Sequence, residues 1–68
     1  MQKYNVIGGG FYKYILNTRT GRGSWRQNGG PLKRTERDAL TEEEARAVVE
    51  SNERAFCKMA NVKIIELQ

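Results

Sequence analysis

The chain has 68 residues with a formal charge of +4, one cysteine, no histidine, 38% hydrophobic residues and a mean hydropathy of −0.73. That suffices for one domain with a thin core, so either its elements pack tightly or a second copy covers the remaining apolar surface. A lone Cys57 excludes an internal disulfide and a cysteine-type zinc site, and neither a signal-peptide pattern nor an apolar run of membrane-spanning length occurs, so a soluble, cytoplasmic protein without cofactor, metal or membrane partner is expected.

Gln2 to Ile7 alternates weakly around Tyr4 and Val6 and predicts a first strand, closed by Gly8-Gly9-Gly10. No Lys-Ser/Thr follows the glycines and the next segment is strand-like, so they read as a turn and not as a phosphate loop. Phe11 to Asn17 is the best strand of the chain, with Tyr12, Tyr14 and Leu16 on one face and Phe11, Lys13 and Ile15 on the other. Thr18 to Gly23 predicts a turn, and Ser24 to Gln27 a short return strand. Asn28-Gly29-Gly30-Pro31 breaks the chain again. Leu32 to Leu40 is charged and without period, which predicts an extended loop with at most a short edge strand near Asp38 to Leu40.

Thr41 to Met59 carries the clearest pattern. Thr41 and Glu44 have the spacing of a capping box, Glu42 to Glu44 place negative charge at the helix start, and Leu40 can staple onto Ala45. At about 100° per residue, Ala45, Val48, Val49, Ala55, Phe56 and Met59 share one face, with Arg46, Ala47, Glu50 and Arg54 opposite. Glu42–Arg46 and Glu50–Arg54 are spaced for ion pairs along that outer face. Asn52 falls within the apolar stripe; it either anchors backbone of the 28–40 loop or of a neighbouring chain, or reaches water at the sheet margin, and the second is expected. Cys57 is placed on the helix flank. Ala60-Asn61 provides the exit, and Val62 to Leu67 a closing strand. The order β-β-β-α-β predicts an α+β domain, a three- to four-stranded antiparallel sheet with one amphipathic helix packed on one face. With Met1 at its start, the sequence reads as a whole gene product.

Chemistry-bearing residues are few. Without histidine, acid–base catalysis would rest on glutamates that have arginine partners along the helix, so an enzyme is not expected and no catalytic residue is assigned. The charge is unevenly spread. Residues 1–40 hold eight bases and two acids, a net +6, whereas residues 41–68 hold four bases and six acids, a net −2. The candidate binding set is therefore Arg19, Arg22, Arg26, Lys33, Arg34 and Arg37, with Tyr12 and Trp25 as neighbouring aromatics. Cations on loops beside aromatic rings suit phosphate contact and base stacking; basic loops suit acidic protein surfaces equally, and the two readings stand level. Arg22 and Arg26 are expected to be exposed and dispensable for folding. Trp25 also has a plain structural reading as a core residue.

A Tyr-rich hairpin with one tryptophan (Tyr4 to Trp25), the Thr41 to Ala45 helix start and the Val62 to Leu67 strand together resemble small ββαβ proteins of phages and mobile elements. Some proteins of that appearance are anti-CRISPR inhibitors. The resemblance implies a non-enzymatic protein that blocks a host defence or nucleic-acid-processing complex, a host protein or ribonucleoprotein. Many anti-CRISPRs are acidic mimics of DNA; this chain is basic, so inhibition would run through arginine contacts to an acidic patch or to bound nucleic acid. A stand-alone nucleic-acid binder and a homodimeric accessory protein are the alternatives, with a monomer and a homodimer both open.

Overall fold

The computed structural model describes residues 2–68. It is an α+β fold: five antiparallel strands and one helix in the order β1 (Lys3–Gly8), β2 (Tyr12–Asn17), β3 (Gly23–Gln27), β4 (Glu36–Arg37), α1 (Glu42–Arg54) and β5 (Lys63–Leu67). Among the described residues no helix is long and apolar enough to cross a membrane. Across the sheet the strands run β3-β2-β1-β5, with β4 paired to β2 off that path. The first two strands meet through a three-residue turn in which Gly9 and Gly10 take positive φ, 60° and 80°. Gly8, the last residue of β1, is closely covered: a Cβ there would lie 2.5 Å from Met59 Cγ and 3.3 Å from the Trp25 ring, so Met59 would have to shift.

β1 and β2 pair only at Ile7–Lys13 and Gly8–Tyr12, and then splay apart. Residues 36–40 fill the opening. Arg37 and Glu36 pair with Leu16 and Asn17 of β2, while Leu40 exchanges two 2.8 Å main-chain hydrogen bonds with Tyr4 of β1. Asn5 Nδ2 donates to the Asp38 carbonyl at 2.9 Å across the same gap. The segment predicted as a loop with an edge strand near Asp38 to Leu40 is thus an internal wedge, and its ladder begins two residues earlier. Its backbone polar groups find partners on both neighbours, which lets a highly charged sequence lie inside the sheet.

The core lies between the wedge, β1 and the first half of α1. Val6 and Leu40 are fully buried, Ala45 and Val48 nearly so, and Tyr4, Tyr14, Leu16, Trp25, Val49 and Val62 pack around them. The capping box is present, with Thr41 Oγ1 accepting from the Glu44 N–H at 3.2 Å and Glu44 Oε1 from the Thr41 N–H at 2.9 Å. Of the expected pairs along the helix, Glu42–Arg46 forms at 2.7 Å; Glu50–Arg54 does not.

The helix stops at Arg54, five residues before the predicted end, with Ala55 extended (φ −70°, ψ 147°). Nothing in Ala55 to Ala60 breaks a helix locally; the cause is tertiary. Asn52 Nδ2 donates to the Met59 carbonyl at 3.0 Å, and Asn52 Oδ1 accepts from the Met59 N–H at 2.8 Å. This pair of bonds folds the chain back and lays Met59 against Gly8 and Gly9, from where β5 starts opposite Ile7. In a continuous helix, Met59 would sit about 10 Å further along the axis, out of reach of Asn52. Asn52 is thus half-buried and anchors neither the 28–40 loop nor water, but the segment after its own helix. Phe56 and Cys57, expected in the stripe and on the helix flank, lie beyond the helix and are exposed. Asn61 has the positive φ expected of it, 54°, but in the turn before β5 and not as the helix cap.

Candidate functional site

The candidate cations divide into two groups with different chemistry. Arg26 and Arg37 are structural. Arg26 on β3 reaches across β2 to Glu36 on β4, with Nη1 donating to Oε1 at 2.7 Å and Nη2 beside Oε2. By the strand register Ile15 lies beneath that bridge and beneath the 2.6 Å Lys13–Asp38 pair, and the two ion pairs account for its burial on a sheet face that carries no helix. Glu36 is itself buried, and it also accepts from the Lys33 N–H at 2.9 Å. That backbone bond, followed by the Arg26 guanidinium, holds its carboxyl below the usual range against the opposing effect of burial.

Arg37 faces the helix side of the sheet. It grips Glu44 with two hydrogen bonds, 3.0 and 2.7 Å, and donates to the Ala39 carbonyl at 2.6 Å. The guanidinium and the Thr41 N–H together lower the Glu44 pKa to about 2, and the same carboxylate raises that of Arg37. This fork ties the wedge to the start of α1. Both arginines are thus engaged within the chain, and Arg26, expected to be exposed, is half-buried and ion-paired.

Arg19, Arg22, Lys33 and Arg34 form no ion pair among the described residues. They belong to two loops distant in sequence that the fold brings together. Thr18 donates twice to the Thr35 carbonyl, from N–H at 2.7 Å and from Oγ1 at 2.8 Å. That clamp sets Arg19 and Arg34, each adjacent to a clamp residue, at the same end of the sheet. Asn17 orders the first loop: its Oδ1 accepts from the Arg19 and Thr20 N–H groups at 2.9 and 3.2 Å, and its N–H donates to the Arg22 carbonyl at 2.7 Å. Glu36 orders the second, since the Glu36 N–H bonds the Lys33 carbonyl at 2.9 Å while its side chain holds the Lys33 N–H. Four free cations thus stand on two turns whose main chain is fixed from beneath.

The aromatic members lie elsewhere. Trp25 is half-buried, edge-on to Tyr14 with ring centroids 5.4 Å apart, and its ring borders Gly8. Tyr12 is exposed but stands at the opposite end of β2, roughly 17 Å from Asn17 by strand rise. Tyr14, outside the candidate set, is the ring that reaches the free cations: its phenol lies over Gly23, next to Arg22. It also lines an open groove of about 350 Å³, with Leu16, Gly21 and Leu40 on one side and Glu44, Ala47, Val48 and Ser51 of α1 on the other. Sequence reasoning did not find this groove, nor the Thr18–Thr35 clamp, because neither leaves a spacing signal along the chain.

No family model, no curated protein and no solved structure matches the chain.

Proposed function

We propose that the protein is a non-enzymatic interaction module that grips an acidic surface of a host protein or ribonucleoprotein complex through Arg19, Arg22, Lys33 and Arg34. The observation that carries this reading is the Thr18–Thr35 clamp, which gathers the unpaired cations on ordered turns. Ordered loops lose less conformational freedom on binding, so charge placed there contributes more to affinity than the same charge on a loose tail. The groove beside Gly21 offers a seat for an apolar side chain flanked by carboxylates. Tyr12 stands at the far end of β2, and Tyr14, the ring beside Arg22, is half-buried over Gly23 and packed edge-on against Trp25, which makes it a poor stacking platform; this favours an acidic protein face over base stacking and is the reason for preferring this reading to a stand-alone nucleic-acid binder. Inhibition of a nucleic-acid-processing or defence complex is the activity that such occupancy would produce.

Two measurements test it. Capture from nuclease-treated host lysate should retain a partner with the native protein and lose it with Arg19→Glu/Arg34→Glu, a variant expected to keep its melting temperature. Fluorescence anisotropy on random duplex and single strands should show weak binding without sequence preference. If nucleic acid is the true partner, four neutralised phosphates predict a loss of roughly 150-fold in affinity between 50 and 200 mM salt from a tight starting value. Tight binding of that kind, or capture indifferent to the charge reversal, would refute the proposal.

A further inference from the structure

We infer that β5 is a self-association edge, and that two copies of the chain join there into one continuous antiparallel sheet. The inference is independent of what the cationic end binds.

The argument begins with the direction of the backbone groups. Tyr4 spends both its N–H and its carbonyl on Leu40, on the side of β1 away from β5. Its β5 partner, Glu66, is therefore a residue whose own N–H and carbonyl point outward, and alternation along the strand gives Ile64 the same outward direction. Lys63, Ile65 and Leu67 spend theirs on β1. The strand order leaves that outer side unpaired. Ile64 and Ile65 stand beside it, 42% and 43% exposed, one on each face of the sheet. The segment has no proline and no glycine to discourage pairing.

Charge selects the occupant. The sheet has a second free edge, β3, but it runs out of the turn that carries the unpaired Arg19 and Arg22, so a second copy there would bring two cationic turns together; its own Arg26 is matched by Glu36. β5 has one base and one acid, Lys63 and Glu66, and is neutral on a chain of charge +4. It is also the edge furthest from the β2–β3 turn. An anionic partner gains nothing there, whereas a second copy meets no net repulsion and keeps both cationic ends outside.

Register is then narrowly set. An edge-to-edge pair related by a two-fold axis keeps each sheet face on its own side, so residues of like parity must oppose each other. Centring on Lys63 or on Glu66 would set like charges face to face. The two centres between them, Ile64 and Ile65, each place an isoleucine against its own copy. Both bring the outward groups of Ile64 and Glu66 into hydrogen-bonded pairs. The dimer would present two cationic ends, and so two linked grips on a repeated or extended acidic partner.

Sedimentation velocity, with amide hydrogen exchange across a concentration series, tests the inference. The native protein should move from the 7.8 kDa chain mass to double that mass as concentration rises. The Ile64 and Glu66 amides should become protected over the same range, while those of Lys63, Ile65 and Leu67 are protected throughout. Ile65→Lys puts a lysine opposite its own copy in one register and opposite Lys63 in the other. It should weaken association by roughly tenfold or more with the monomer still folded. Glu66→Pro, which removes an outward N–H that β1 does not use, provides an independent second variant with the same expected loss. A monomer at all concentrations with freely exchanging Ile64 and Glu66 amides would overturn the inference, and so would a dimer that survives both substitutions.

Discussion

Replacing Asn52 by alanine removes both bonds of the clamp on Met59, 3.0 and 2.8 Å long, and leaves a half-buried N–H and carbonyl without partners. Each side-chain hydrogen bond contributes about 0.5–1.5 kcal/mol net, and abandoned polar groups cost more than the bond itself when water reaches them poorly. The expected loss is about 2 kcal/mol. A domain of this length has on the order of 3–10 kcal/mol in total, so the loss is a large fraction of it. At roughly 4–8 °C per kcal/mol, the melting temperature should fall by about 8–16 °C in a thermal scan followed by circular dichroism. Asn52→Asp separates the two bonds. Near neutral pH the carboxylate still accepts from the Met59 N–H but repels its carbonyl, so that variant should be as unstable as the alanine. In acid, the protonated side chain can donate again, and the gap to the native protein at the same pH should narrow. A melting temperature within about 2 °C of native for Asn52→Ala, or a higher one for Asn52→Leu, would refute the view that this amide ends the helix and seats Met59.

The remaining predictions concern the ion pairs. Glu44 titrates near 2 in the folded protein and near its ordinary value when unfolded, so the stability it contributes is complete above about pH 4.5 and is lost as pH falls towards 2. After allowance for solvent screening of a side chain one-third exposed, this amounts to about 1–2 kcal/mol. Glu44→Gln should lower stability at pH 7 by that amount and flatten the acid limb of the stability curve; a curve of unchanged shape would count against the Arg37 fork. Arg26→Glu should lower the melting temperature by roughly 5 °C or more, because it sets a second carboxylate against buried Glu36 and uncovers Ile15. Arg22→Glu, on the free turn, should change stability by no more than about 0.5 kcal/mol. Equal effects of the two would erase the division between structural and free cations.

What could be read from the residues was whatever depends on neighbours in the chain. The capping box, the acidic first turn, the Leu40–Ala45 staple, the glycine turn and the alternation of Tyr12, Tyr14 and Leu16 are local patterns, and all of them appear in the fold. Where the fold departs from the local pattern, side-chain contacts beyond the next helical turn are the cause. The pattern predicts a helix through to Met59 because Ala55 to Ala60 contains no local stop; the stop lies in Asn52 reaching Met59. Residues 36–40 looked like a surface loop because their charges have no period; those charges are neutralised pairwise across strands, Lys13 with Asp38 and Arg26 with Glu36. The same pairing explains the candidate site. Sequence identifies which residues are basic, but not which of them already hold a carboxylate.

The wedge between β1 and β2 also has a bearing on how the chain assembles. Two hairpins of short reach, β1–β2 and β2–β3, can appear early, yet the first is only half a hairpin. Tyr4, Leu16 and Thr18 keep vacant main-chain positions until residues 35–40 arrive. Because Leu40 immediately precedes the Thr41 cap, docking of this keystone and landing of the helix are a single event. The protein should therefore fold and unfold all at once, and a fragment that ends ahead of the keystone should not hold a sheet at all.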